Sequence, residues 1–153
     1  MTETEESPIK RLILPLIAII GLIDSFHLIS IYFQPDVCTQ TGSFFSIPLD
    51  CGTVARSEYS SFLGIPVAIY GVIFYVSIIL VVMYQRELQF LPITPYQLLA
   101  LQVTTGQLVS LVLFYIQIFV VKAICVYCML SFCTATSMFI IFLYLRNFFK
   151  TLA

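Results

Sequence analysis

A chain of 153 residues, 60% of them hydrophobic and 10% charged, has room for one domain and is too apolar to be a soluble one. The net charge of −1 gives no basic footprint, and Lys and Arg form no cluster beyond short flanking pairs, so nucleic-acid binding is set aside. What remains is a protein of the lipid bilayer, whose hydrocarbon core of about 30 Å needs roughly 20 apolar residues per crossing helix.

In chain order, residues 1–11 open with the acidic TETEES and read as a frayed cytoplasmic tail. Residues 12–33 form the first predicted span. That run is too long for the core of a signal peptide and no small-x-small site closes it, so a retained helix is expected. Asp24 and His27, one turn apart, are the only Asp, Glu, Lys, Arg or His residues inside any span, which makes them functional candidates. A mutual buried hydrogen bond and a proton path are both open readings. Residues 34–61 are a long outer loop. Pro35, Gly42, Pro48 and Gly52 forbid one regular element there, although CGTVARSEYSSFL can form a short helix at the interface. Loops beyond about 12–15 residues are usually functional or disordered, and Cys38 and Cys51 favour function. Residues 62–84 are the second span, 85–96 a short stiff inner turn with Pro92 and Pro95, and 97–121 the third span. Residues 123–145 are the fourth, opened by CVYC, and 146–153 a second cytoplasmic tail. The expected fold is all-α: a polytopic four-transmembrane-helix bundle with a long outer loop between helices 1 and 2.

The flanking charges set the orientation. Lys10, Arg11, Arg86, Arg146 and Lys150 share one side, Arg56 and Lys122 the other, and the positive-inside rule puts both termini in the cytoplasm. Cys38, Cys51, Cys125 and Cys128 then gather on the outer face, away from the cytosolic reductants.

Cys125 and Cys128, three apart at a helix start, place both sulfurs on one face about one turn, or roughly 4.5 Å, apart along the axis. The free N–H groups of the first turn, with Lys122 before them, favour a reactive thiolate. A redox dithiol is the reading the spacing favours. Simple packing and a structural zinc site made of Cys38, Cys51, Cys125 and Cys128 are the competitors. Cys38 and Cys51 are either a stabilising disulfide or a relay pair, and the dithiol next to them favours the relay. Cys133 lies deeper and on another face, where a cysteine acts as a small hydrophobe.

A membrane dithiol that is reoxidised must hand two electrons on, and the chain carries no haem ligands, dinucleotide fingerprint or iron–sulfur spacing. A lipid-soluble quinone fits. Cys128, about one turn deeper than Cys125, is placed to meet it, and Cys125 is the sulfur that the loop can reach. Phe132, one turn further, would supply an apolar wall.

These residues resemble a known family. CGTVARSEYSSFLGIPVAIYGVIFY at 51–75, followed by CVYC, is similar to the vitamin K epoxide reductase family in its prokaryotic branch, through Cys51, Val54, Ser57, Tyr59, Gly64, Pro66, Gly71, Tyr75, Cys125, Tyr127 and Cys128. The resemblance implies a four-helix bundle holding a quinone of the ubiquinone or menaquinone class near its outer end. It implies Cys125 and Cys128 as the active-site pair, with Cys128 facing the quinone and Cys125 exchanging with Cys51. Cys38 would take electrons from a thioredoxin-fold (DsbA-like) partner, and Ser57 would position the loop or the quinone. Val67 and Phe132 stand where animal members carry asparagine and tyrosine, which favours plain quinone reduction over epoxide reduction. Many bacterial relatives continue into a fused thioredoxin-like domain; here a separate polypeptide is expected as partner, in a prokaryotic inner membrane. The rival from another class is a non-catalytic bundle stapled by zinc or a disulfide.

Overall fold

The protein, analysed as a computed structural model, is described for residues 8–34, 42–44, 47–84, 87 and 93–145. Helix α1 runs Pro8–Phe33. Two short antiparallel strands follow, β1 at Ser43–Phe44 and β2 at Ile47–Pro48, then helix α2 at Cys51–Arg56 and a 3₁₀ turn at Glu58–Ser60. A second hairpin, β3 at Ser61–Phe62 and β4 at Ile65–Pro66, leads into α3 at Val67–Met83. Helix α4 spans Pro95–Tyr115 and continues as a π-helical segment, Ile116–Val121; α5 closes the described chain at Val126–Tyr144. Cys38, Arg86 and the tail residues 1–7 and 146–153 lie outside the described residues, as does most of the expected inner turn.

Local chemistry explains several of these limits. Thr94 and Gln97 form a reciprocal capping box at the start of α4, with Pro95 at the first helical position. The span expected from residue 62 starts as a helix only at Val67. Residues 61–66 instead make a tight two-residue hairpin whose central residues, Leu63 and Gly64, both have positive φ (55° and 79°), the conformation that matches the twist of paired strands. Pro66 lacks the N–H that a helix interior needs, so it stands as the cap before α3. The helix that remains has 17 residues, about 25 Å at 1.5 Å per residue. Among the described helices, three are long and apolar enough to cross a membrane, Leu12–Phe33, Pro95–Val121 and Val126–Tyr144, while α3 is apolar but shorter.

Helix α1 packs on α3 and α5, and α4 on α5 and α3. Toward the start of α1 the core is built from Leu14, Ala18, Tyr75, Ile78, Leu99, Val103, Met138 and Phe142. Outside it, Leu16, Ile20, Ile23, Leu101, Leu108 and Ile140 are exposed, as expected of a bundle whose solvent is hydrocarbon. Packing of apolar surface is no longer driven by water there, so polar contacts between helices gain importance. The Gln102 amide donates to Ser77 Oγ (3.0 Å), joining α4 to α3, and the Gln107 amide donates to Thr136 Oγ1 (3.2 Å), joining α4 to α5.

Close approach of α1 and α3 depends on Gly21, because a Cβ there would overlap the Tyr75 ring. Gly21→Ala gains about 1 kcal/mol in helix propensity and loses about 1–3 kcal/mol to overpacking against a rigid ring. A lowered midpoint of thermal unfolding in detergent is expected, and an unchanged midpoint would show that the two helices can part freely.

Candidate functional site

Two backbone hydrogen bonds join the connection between α1 and α3 to the segment before α5. Ile124 N–H donates to Pro48 O (2.9 Å) and Asp50 N–H to Ile124 O (3.0 Å), making a parallel bridge between Leu49 and Ile124. Lys122, in the left-handed region at φ 55°, turns the chain out of the π segment so that residues 123–125 run extended and can accept this pairing. The register matters, because Cys51 lies two residues after Leu49 and Cys125 one residue after Ile124.

Cys51 begins α2, capped by Asp50, whose carboxylate accepts from Thr53 N–H (3.0 Å) and Thr53 Oγ1 (2.6 Å). The Thr53 hydroxyl, with the backbone amides, holds that carboxyl below its ordinary range. Cys125 is the N-cap of α5 rather than a residue of its first turn, and its sulfur accepts from Cys128 N–H (3.4 Å). Cys51 and Cys125 are 0% and 1% exposed and share one cluster with Ile31, against which the half-buried Cys128 packs. Cys51 comes within hydrogen-bonding reach of the Cys125 sulfur. Three of the four outer cysteines named from the sequence therefore meet; Cys38 is not among the described residues.

The expected bias toward thiolate does not hold at Cys125. Cys125 precedes the apolar span of α5, and its thiol is pushed up, first by the Cys128 side chain beside it and then by burial, while the Cys128 N–H and the Cys51 side chain act the other way. Lys122 is exposed.

Cys51, Cys125 and Cys128 line one cavity of about 310 Å³, together with Ser57, Phe132 and Gln117. Ser57 follows α2 and its hydroxyl donates to Val54 O (2.7 Å). Phe132 stacks on Phe114 of α4, ring centroids 4.6 Å apart and 15° between planes. Val67, at the start of α3, also lines the space. The walls are mostly apolar and include rings from Tyr32, Phe74 and Tyr75, the character of a pocket for a flat lipid-soluble molecule.

Gln117 was not singled out from the sequence. It is buried in the π-helical segment and its amide donates to Cys125 O (3.3 Å), fixing the backbone of the cysteine pair from the α4 side. A lone polar residue inside YIQIFVV was the signal, and π-helical turns often sit at functional sites.

Two expectations from the sequence need correction. Asp24 and His27 do not form a mutual hydrogen bond. Asp24 is buried, with neither carboxyl oxygen in a close hydrogen bond among the described residues, whereas His27 is exposed and lies against the Tyr127 ring, centroids 4.4 Å apart. Helix α5 also starts three residues later than the span drawn from residue 123, because the Leu49–Ile124 bridge keeps residues 123–125 extended. Cys133 is exposed and away from the cavity. No group of three or more metal-ligating side chains occurs among the described residues.

The family model described as the Vitamin K epoxide reductase family matches residues 12–143. No curated protein matches the chain.

Proposed function

The chain belongs to the vitamin K epoxide reductase family, a family of membrane oxidoreductases acting on quinones and epoxides, and from that premise we propose a route for its electrons. They enter at Cys38–Cys51 from a thioredoxin-fold partner, pass to Cys125–Cys128, and leave on a quinone, so that disulfides form in exported proteins. The observation that carries this reading is the Leu49–Ile124 bridge, which seats Cys51 against Cys125 while Cys128 opens on the cavity.

The exchanges balance as follows. The two thiols of a reduced partner reduce the Cys38–Cys51 disulfide to two thiols, and the partner becomes a disulfide itself. Cys51 then attacks the Cys125 sulfur of the Cys125–Cys128 disulfide, and Cys128 leaves facing the cavity and takes up the proton that Cys51 gives up, becoming a thiol. Cys38 attacks Cys51, re-forming the loop disulfide and freeing Cys125. Burial of Cys125 suits this order, since it keeps small thiols in solution away from the buried sulfur and leaves Cys51 as its ready neighbour. Bound quinone supplies an acceptor for two electrons and two protons. Ser57 and the stacked Phe114 and Phe132 fit a ring of that kind. Val67 and Phe132 offer it no hydrogen-bond donor, which supports quinone reduction over epoxide reduction.

In the proposed topology α1, α3, α4 and α5 all cross, with the 61–66 hairpin adding depth to the short α3, both termini cytoplasmic and the cysteines on the outer face of a prokaryotic inner membrane. Purified protein in lipid nanodiscs, given a reduced thioredoxin-fold protein and either a menaquinone or a ubiquinone, is expected to form one partner disulfide per quinone consumed. Turnover of an epoxide alone, or stoichiometric bound zinc with no quinone consumption, would overturn the proposal.

A further inference from the structure

Reducing a quinone moves protons as well as electrons, and the cysteine pair does not by itself explain how a proton reaches an oxygen in an apolar cavity. Asp24 bears on this. It is 4% exposed, its carboxyl oxygens meet the Ser131 hydroxyl only at longer than close hydrogen-bond distance among the described residues, and no Lys or Arg lies within any of the four apolar runs. Burying a bare carboxylate in such surroundings is costly.

The neighbours of Asp24 lead to the cavity. Cys125, Cys128 and Ser131 recur at intervals of three and so run down one side of α5, and all three line the cavity. The Ser131 hydroxyl faces the Asp24 carboxyl from α5 and also faces the phenol of the buried Tyr75 on α3, itself a lining residue. A hydroxyl can accept a proton on one side while donating its own on the other. His27, exposed against Tyr127, is on a different surface and takes no part.

We propose that Asp24 holds a proton for quinone reduction and passes it through the Ser131 hydroxyl into the cavity; this rests on the electron route proposed above. As Cys125 and Cys128 close their disulfide, two S–H bonds break and one S–S bond forms. The electron pair goes to the quinone, and both of its oxygens become hydroxyls. One proton comes from Asp24 by way of Ser131, and a thiol proton returns to the Asp24 carboxyl along the same ladder. The other thiol proton goes to the second oxygen. The carboxyl is therefore restored at each turnover and the sum is dithiol plus quinone giving disulfide plus quinol.

Asp24 acts through Ser131, so its test must separate proton supply from packing. Asp24→Asn, which keeps shape and polarity but carries no acidic proton, is expected to lower kcat by about 100-fold, within the usual range for general acid catalysis, with the quinone KM little changed. Asp24→Glu should recover part of the loss. Ser131→Ala should fall comparably, while Ser131→Thr, which keeps the hydroxyl, should not. In infrared difference spectra of the wild-type dithiol protein at neutral pH, a carboxylic-acid C=O band should be present and should move in Ser131→Ala, a readout that stands even where Asp24→Asn fails to fold. Absence of that band, or wild-type kcat in Asp24→Asn, would overturn the proton role alone. Wild-type protein that consumes no quinone at all would overturn the electron route itself.

Discussion

Cys128→Ala is expected to abolish quinone reduction by the purified protein, with a loss on the order of 10³-fold or more, as when a nucleophile is removed from a group that works as a unit. The reason is positional. Of the described cysteines at the cavity, Cys128 is the least buried, lies about one helical turn beyond Cys125 and opens on the apolar space. Alanine fills much of the same volume at the third position of α5 and leaves Cys125 still capping the helix through the same backbone N–H. The fold should survive, with a thermal midpoint near wild type. Quinone consumption followed optically in nanodiscs is the measurement, and full activity in this variant would sink the assignment of Cys128 as the sulfur that delivers electrons.

The second large effect is a trapped bond. With Cys128 and Cys38 both replaced by alanine, a Cys51–Cys125 disulfide formed on adding a thiol oxidant such as diamide has no neighbouring thiol left to resolve it. The Cys51–Cys125 disulfide should then become the major form on peptide mapping under non-reducing conditions. In Cys125→Ala it should be missing, and Cys128, about one helical turn beyond Cys125, should not replace it in appreciable yield. A Cys51–Cys128 bond as the main product, or any disulfide through the exposed Cys133, would contradict the order of exchange.

Much of this was readable from the residues alone, for physical reasons that differ from one element to the next. The start of α4 was written locally, since Thr94, Pro95 and Gln97 satisfy the free amides of a helix end without outside help. The apolar runs declared a bilayer environment because no soluble fold could hide them, and the spacing of Cys125 and Cys128 carried its own chemistry. What stayed hidden depends on contacts between distant parts of the chain. The Leu49–Ile124 pairing joins residues far apart in sequence that show no pattern individually. The turn at Leu63 and Gly64 puts a leucine in a conformation that its type disfavours, so no turn motif announced it. Helices that are apolar all round also do not disclose which side faces inward. For that reason a mutual hydrogen bond between Asp24 and His27, close in sequence, stayed an open reading, although the bundle buries the first and leaves the second exposed.

The Leu49–Ile124 bridge has a kinetic meaning. It makes the encounter between loop and helix sulfurs an intramolecular event, whose effective concentration is set by two hydrogen bonds instead of by diffusion of a free loop. In the proposed cycle, transfer inside the protein is then independent of how much protein is present. Supply of reduced partner from outside and of quinone from the lipid becomes what sets the pace, and the membrane domain behaves as a fixed junction between a water-borne and a lipid-borne pool of electrons.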